Sequence, residues 1–265
     1  MKNLTYRLFV VIAMLIFSNI SAQHQDLYES KTFINDIDTL RYRLLLPKDF
    51  SETKSYPLVL FLHGAGERGN DNARQLIHGS KLFADETKRE AFPAVVIFPQ
   101  CPQNDYWANV TVDRSTMPLT ITFQNGGEPT KALTLVMQLM DEMLTKTYIN
   151  KQQVYVGGLS MGGMGTFEIL SRKPDMFAAA FAICGGGSTQ DAKNYAATTS
   201  LWIFHGAKDD VVIPQHSIDM VTAILNYGGK PNFTLYADDN HNSWDSAFNE
   251  PKFLPWLFSK SKQLQ

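Results

Sequence analysis

Cysteine is scarce in this chain of 265 residues, which holds only Cys101 and Cys184. Two thiols cannot build a disulfide framework, so the fold must rest on a hydrophobic core, and neither thiol lies at a metal-ligand spacing. An oxidising compartment would permit them to pair. Each also follows an apolar strand-like run, where a small buried side chain is an equal reading. No H-E-x-x-H pattern and no glycine fingerprint of a phosphate or dinucleotide loop occurs, so neither a metal nor a cofactor is expected. Charge of one sign is lacking too. The 24 basic and 26 acidic residues form no block, which argues against nucleic acid or an anionic membrane as partner. No repeat, low-complexity tract or flexible linker divides the chain.

Long apolar runs are also missing, with one short exception. Leu8 to Phe17 is unbroken but well short of the ~20 residues of a membrane-crossing helix. Lys2 and Arg7 precede it and Ser18-Asn19-Ile20-Ser21-Ala22 follows. This is the pattern of a secretory signal peptide cut after Ala22. The expectation is a secreted or periplasmic protein whose residues 23–265 form one domain, more acidic than the precursor because both lost charges are basic.

Within that stretch, alternating apolar residues predict two antiparallel strands, Tyr28 to Asn35 and Thr39 to Leu46. Short, nearly continuous apolar runs follow at Leu58 to Leu62, Ala94 to Phe98, Val154 to Val156, Phe177 to Ile183, Leu201 to Phe204 and Phe233 to Tyr236. Strands apolar on both faces belong in a parallel sheet covered by helices. Helices are predicted over Asn72 to Lys88, Lys131 to Thr147, Met161 to Arg172, Gln215 to Tyr227 and Ser246 to Ser259. The alternation gives an α/β doubly wound sheet with its ligand site at the carboxyl ends of the strands. Asn104 to Pro129 has few regular signals and is a candidate functional loop. Gly185 to Ser200 is too short for a large helical lid.

Chemistry concentrates in Gly158-Leu159-Ser160-Met161-Gly162-Gly163, between a predicted strand and a predicted helix. A serine hydroxyl becomes a nucleophile when a sharp turn exposes it beside a base and near oxyanion donors. The donors expected are the N–H of Met161 and one from the loop His63-Gly64-Ala65-Gly66-Glu67-Arg68-Gly69, with Ala65 chosen. In the chain order serine, acid, histidine, the base falls to His241 in the polar loop after the last strand. His63 and His205 read as turn residues, and His216 as an exposed helix position. The acid is Asp209 or Asp210, at the end of the penultimate strand. Asp209 is preferred, while Asp238 and Asp239 read as solvated loop charges. Trp107 and Trp244 suit either flat walls for a sugar or aromatic acyl group, or packing.

These motifs, with Pro99-Gln100-Cys101-Pro102 near Trp107 and with His241-Asn242-Ser243-Trp244, resemble the α/β-hydrolase superfamily across the mature chain. More narrowly the chain is similar to secreted bacterial esterases described as predicted peptidases, phospholipase/carboxylesterase-like or dienelactone-hydrolase-like proteins. Feruloyl and acetyl xylan esterases have similar domains. The resemblance implies an α/β-hydrolase fold with Ser160, Asp209 and His241 as triad and Ala65 and Met161 as oxyanion donors. Ile213 stands where relatives often place a proline, with Pro214 one step later, and Ser160 replaces the cysteine nucleophile of dienelactone hydrolases. The function expected is a serine carboxylic-ester hydrolase acting on short-chain or polysaccharide-linked acyl esters. A serine peptidase of the prolyl-oligopeptidase type and a non-catalytic hydrolase-fold binding protein are the alternatives.

Overall fold

The computed structural model describes residues 24–262, so the expected signal peptide lies outside the described residues. The strands are β1 (Glu29–Ile34), β2 (Thr39–Leu45), β3 (Tyr56–Leu62), β4 (Val95–Pro99), β5 (Val110–Asp113), β6 (Thr120–Phe123), β7 (Ile149–Leu159), β8 (Ala179–Ile183), β9 (Ser200–Gly206) and β10 (Asn232–Tyr236). The helices are α1 (Ser80–Ala84), α2 (Glu86–Ala91), α3 (Lys131–Met143), α4 (Met161–Arg172), α5 (Gln215–Asn226), α6 (Trp244–Phe248) and α7 (Phe253–Phe258). One sheet of eight strands runs β1-β2-β4-β3-β7-β8-β9-β10. β1, β2 and β4 pair antiparallel, and from β4 onward every pair is parallel.

Successive residues of the parallel strands point to opposite faces, and both faces are apolar. Leu58, Leu60, Leu62, Val154, Val156, Ala180 and Ile203 pack with Leu133, Val136 and Met140 of α3, Phe167 and Leu170 of α4, and Ile224 of α5. Their neighbours Val59, Phe61, Phe98, Tyr155, Phe181 and Phe204 face Leu82, Phe83, Ala247, Phe253 and Leu257. Phe61 stacks on Phe98 at 4.7 Å, and Phe181 meets Phe253 edge-on at 4.8 Å. Each such buried phenylalanine contributes roughly 1.5–3 kcal/mol relative to exposure. This two-sided core fixes the sheet, and with it the ends of β3, β7, β8, β9 and β10.

Several predicted elements differ in extent. The run Val154 to Val156 is the middle of β7, which the polar residues Asn150 to Gln153 extend toward its start. The helix predicted over Asn72 to Lys88 is broken, because Gly79 takes φ 81° with no room for a side chain: a Cβ there would stand 2.6 Å from the Phe61 ring. Asp85 then opens α2 by accepting the N–H of Lys88. The helix expected over Ser246 to Ser259 is two short ones, interrupted around Pro251. Within Asn104 to Pro129, β5 and β6 form a hairpin, Val110 opposite Phe123. It buries Leu119 and Ile121 against Met164 and Val212. Between β8 and β9 only a short 3₁₀ turn, Asp191–Asn194, appears. Among the described residues no helix is long and apolar enough to cross a membrane.

Candidate active site

Strand β7 ends in a sharp reversal that requires glycine at two positions. Ser160 takes φ 53° and ψ −117°, a conformation costing a non-glycine residue ~1–3 kcal/mol. A Cβ on Gly158 would lie 2.4 Å from Leu62 O, and one on Gly162 would lie 1.8 Å from it. Both glycines are therefore required for β7 and α4 to pass β3 this closely. The Ser160 N–H donates to Ile183 O at 2.8 Å, and Ser160 O accepts from Met164 N at 3.0 Å. The turn is thus held on both sides while Oγ projects from the start of the 12-residue helix α4.

Ser160 Oγ stands 3.0 Å from His241 Nε2, and His241 Nδ1 stands 2.7 Å from Asp209 Oδ2. Asp209 Oδ1 accepts from the N–H groups of Val211 and Val212 at 3.0 and 2.9 Å. That leaves Oδ2 for imidazole. Gly206 brings the histidine loop to this point, since a Cβ there would lie 2.4 Å from the carbonyl oxygens of Asp239 and Asn240. Of the two adjacent acids, Asp209 is buried against His241 and Asp210 is exposed.

Burial alone would push the Asp209 carboxyl up. Hydrogen bonds from His205 and His241, the His241 charge and the Val211 N–H outweigh burial and hold it well below the usual carboxylate range. A carboxylate kept ionised beneath an imidazole fixes the tautomer in which Nδ1 bears the proton and Nε2 faces the serine.

His205 was legible only as a turn residue, yet it sits directly under the acid. Its Nε2 lies 3.2 Å from Asp209 Oδ2 and 2.8 Å from Val212 O, while Nδ1 lies 2.7 Å from Ser217 Oγ. His63, in contrast, is a backbone strut. Nδ1 donates to Gly64 O at 2.6 Å, and Nε2 accepts from Cys101 N at 3.0 Å. Burial lowers its pKa to about 4, so the ring is neutral. Trp107 is fully buried and donates from Nε1 to His63 O at 3.1 Å, which makes it a brace of the glycine loop and not a wall for ligand. Gln100 completes the brace, donating to Asp71 at 2.8 Å and accepting from Asn72 N at 2.7 Å.

Ala65 stands at the head of a short 3₁₀ turn in this braced loop, and Met161 at the head of α4. Among the described residues neither N–H has a protein acceptor. His216, expected on the surface, is half-buried: it meets Phe123 of β6 edge-on at 5.3 Å, and burial lowers its pKa. The reason is the hairpin, which the sequence pattern did not reveal.

Two clefts are lined by residues around this site, neither of them by Ser160 or His241. One, of about 320 Å³, is lined by Phe123, Asn125, Gln190, His216 and Asp219. The other, of about 440 Å³, is lined by Ile77, His78, Trp244 and Phe248. Trp244 is partly buried, 5.6 Å from the His241 ring and 5.0 Å from His78. His78 lies 3.8 Å from the Glu67 carboxylate in the glycine loop. His78 carried no signal in the sequence, because its proximity to Glu67 depends on the break at Gly79. Cys101 and Cys184 are free and buried. Of the possible metal ligands, Cys184 Sγ, a carboxylate oxygen of Asp209 and a ring nitrogen of His241 lie within 4.8 Å of one another.

Relatives share this framework to different depths. The chain is 31% identical over 122 residues to a bifunctional acetylxylan esterase/xylanase of Neocallimastix patriciarum, a match covering 40% of this chain and 18% of that one. It superposes on the crystal structure of a thermostable esterase with a TM-score of 0.80 at 33% identity, covering 91% of this chain and 64% of that one. A ferulic acid esterase of Anaeromyces mucronatus, solved with ferulic acid, shares the fold at a TM-score of 0.63 and 14% identity, covering 86% and 89% of the two chains. The chain thus spans less than two thirds of the first two of these proteins. Residues 50–252 match the phospholipase/carboxylesterase family model, and the chain belongs to that family, with an α/β-hydrolase fold.

Proposed function

We propose that this protein is a serine carboxylic-ester hydrolase working through an acyl-enzyme. The observation that carries the reading is the unbroken hydrogen-bond chain from Ser160 Oγ through His241 to Asp209. His241 Nε2 takes the Ser160 proton as Oγ attacks the ester carbonyl, and the imidazolium formed is stabilised by the Asp209 carboxylate. The N–H groups of Ala65 and Met161 receive the oxyanion, where one such donor contributes about 3 kcal/mol to transition-state stabilisation. The imidazolium then protonates the departing alcohol. Water, activated by the same ring, releases the acid and restores Ser160.

The substrates proposed are short-chain or polysaccharide-linked acyl esters. The short connection between β8 and β9 supports an open site, and the clefts beside it mix aromatic faces with amide, carboxylate and imidazole groups, a lining suited to sugars or aromatic acids. The mature domain, residues 23–265, acts outside the cytoplasm after signal removal. Wild type and Ser160→Ala assayed on p-nitrophenyl acetate test the mechanism. The variant is expected to lose activity to background, and equal rates would overturn the assignment. A panel of acetyl-xylan, feruloyl, long-chain acyl and peptide substrates tests the class. Faster cleavage of long-chain esters or peptides would replace it.

A further inference from the structure

Cys184 takes no part in the steps above, yet it lies against the groups that do. It ends β8 in the left-handed region, φ 43°, and is fully buried. Its Sγ is 3.9 Å from His241 O. Together with Asp209 and His241 it offers sulfur, oxygen and nitrogen donors within a 4.8 Å span. The second observation is Ser243. Its hydroxyl is fully buried, faces the Cys184 thiol, and has no hydrogen-bond partner beyond that thiol. A thiol is a weak partner for a buried hydroxyl, and this one stands beside three potential ligands.

We propose that Cys184, Asp209 and His241, with Ser243 as a fourth donor, form an inhibitory site for a thiophilic divalent cation of the Zn²⁺ or Cd²⁺ class. A mixed sulfur, nitrogen and oxygen set of four donors is what such cations take in tetrahedral geometry. Donor atoms in that geometry stand about 3.5 Å apart, so Asp209 Oδ2 and His241 Nδ1, now 2.7 Å apart, must separate to admit the ion. Asp209 supplies negative charge before the ion arrives. Burial first, then the Asp209 carboxylate, pushes the Cys184 thiol up, so the free thiol is protonated. Binding breaks the S–H bond, forms the sulfur–metal bond and releases one proton to solvent, with no change in oxidation state.

The inhibitory consequence rests on the proposed roles of Ser160 and His241. The ring nitrogen facing Asp209 is Nδ1. A neutral imidazole that ligates metal through Nδ1 keeps its proton on Nε2. Nε2 then donates to Ser160 and no longer accepts its proton. Metal occupancy therefore disables the base by reversing its tautomer, without blocking the substrate clefts.

The test is a Cd²⁺ titration of the full chain, followed by the ultraviolet charge-transfer absorption of a cadmium–thiolate bond, with ester hydrolysis measured in parallel under Zn²⁺. Wild type and Ser160→Ala are both expected to show one thiolate–cadmium band per molecule, reversed by EDTA. That arm holds even if the protein hydrolyses no ester. Cys101→Ala is expected to keep the band and Cys184→Ser to lose it. Cys184→Ser and Ser243→Ala are expected to need at least about tenfold more Zn²⁺ for half-inhibition. Absence of the band in wild type, or its loss in Cys101→Ala, overturns the proposal. So does inhibition of Cys184→Ser at the wild-type Zn²⁺ concentration. Should Cys184→Ser fail to fold, the bands of wild type, Cys101→Ala and Ser160→Ala decide.

Discussion

The ends of β3 and β9 read alike, His63-Gly64 and His205-Gly206, at the same edge of a parallel sheet in which β7 and β8 lie between them. Their wiring is nevertheless different. His63 spends both ring nitrogens on backbone, Gly64 O and Cys101 N, and its loop presents N–H groups. His205 directs Nε2 at a carboxylate, and its loop presents charge. The glycines diverge in the same way. A Cβ on Gly64 would meet two side-chain atoms, Glu67 Oε2 and Leu159 Cδ1, at 2.9 Å, whereas a Cβ on Gly206 would meet backbone carbonyls of the histidine loop at 2.4 Å. In the proposed mechanism one local pattern therefore serves as an oxyanion wall in one place and an acid platform in the other. What packs across from each loop decides which.

The largest expected effect falls on the acid platform. Asp209→Asn is expected to lower kcat by about 10³–10⁴-fold, because an amide stabilises the wrong imidazole tautomer. Asp210→Asn should stay near wild type, and steady-state kinetics on one chromogenic ester compares the two directly. If Asp210→Asn were the damaging change, the two loops would have to be rewired. Next come the glycines. Gly206→Ala must displace the Asp239–Asn240 backbone and is expected to cost about 100-fold in kcat/KM through the misplaced His241. Gly64→Ala is expected to cost much less, since the Glu67 and Leu159 side chains can move.

A smaller effect is expected of His205→Leu, which removes one of the donors holding Asp209 ionised and should lower kcat/KM about tenfold at neutral pH. Raising the Asp209 pKa also moves the acid limb of the profile to higher pH. Recovery of both by His205→Gln separates positioning from simple loss of packing, and an unmoved acid limb would remove His205 from this role. The smallest effect concerns stability. The folded His63 pKa, about 4, lies below the ordinary imidazole value of 6.5, so between these pH values the unfolded chain binds the proton and the folded one does not. His63 therefore contributes stability that is full above pH 6.5 and is lost as pH falls toward 4, a change of about 3 kcal/mol. Melting temperatures across that window should fall more steeply in wild type than in His63→Gln.

Legibility in the sequence followed the range of the cause. The parallel strands and the turn around Ser160 were readable because apolar runs and glycine placement act over a few residues. Chain order brought Asp209 and His241 into view, although separating Asp209 from Asp210 needed the packing of Val211, Val212 and His205 around one carboxylate. The hairpin within Asn104 to Pro129 was missed because its strands have four residues each, too few to show a period, and its apolar side is completed by Met164 and Val212 from elsewhere. With it went the burial of His216. The broken helix at Gly79 was missed for a similar reason: the obstacle is the Phe61 ring, far away in sequence. Cys184 showed only apolar neighbours along the chain, and its place beside Asp209 and His241 arises from three separate strand ends meeting.

The most direct test of the Ser160–His241–Asp209 assignment is covalent labelling with a fluorophosphonate, with the modified residue located by mass spectrometry. The account predicts one rapid adduct on Ser160 in wild type, slowed by orders of magnitude in His241→Ala. An adduct on another residue, or equal labelling rates in the two proteins, would contradict it.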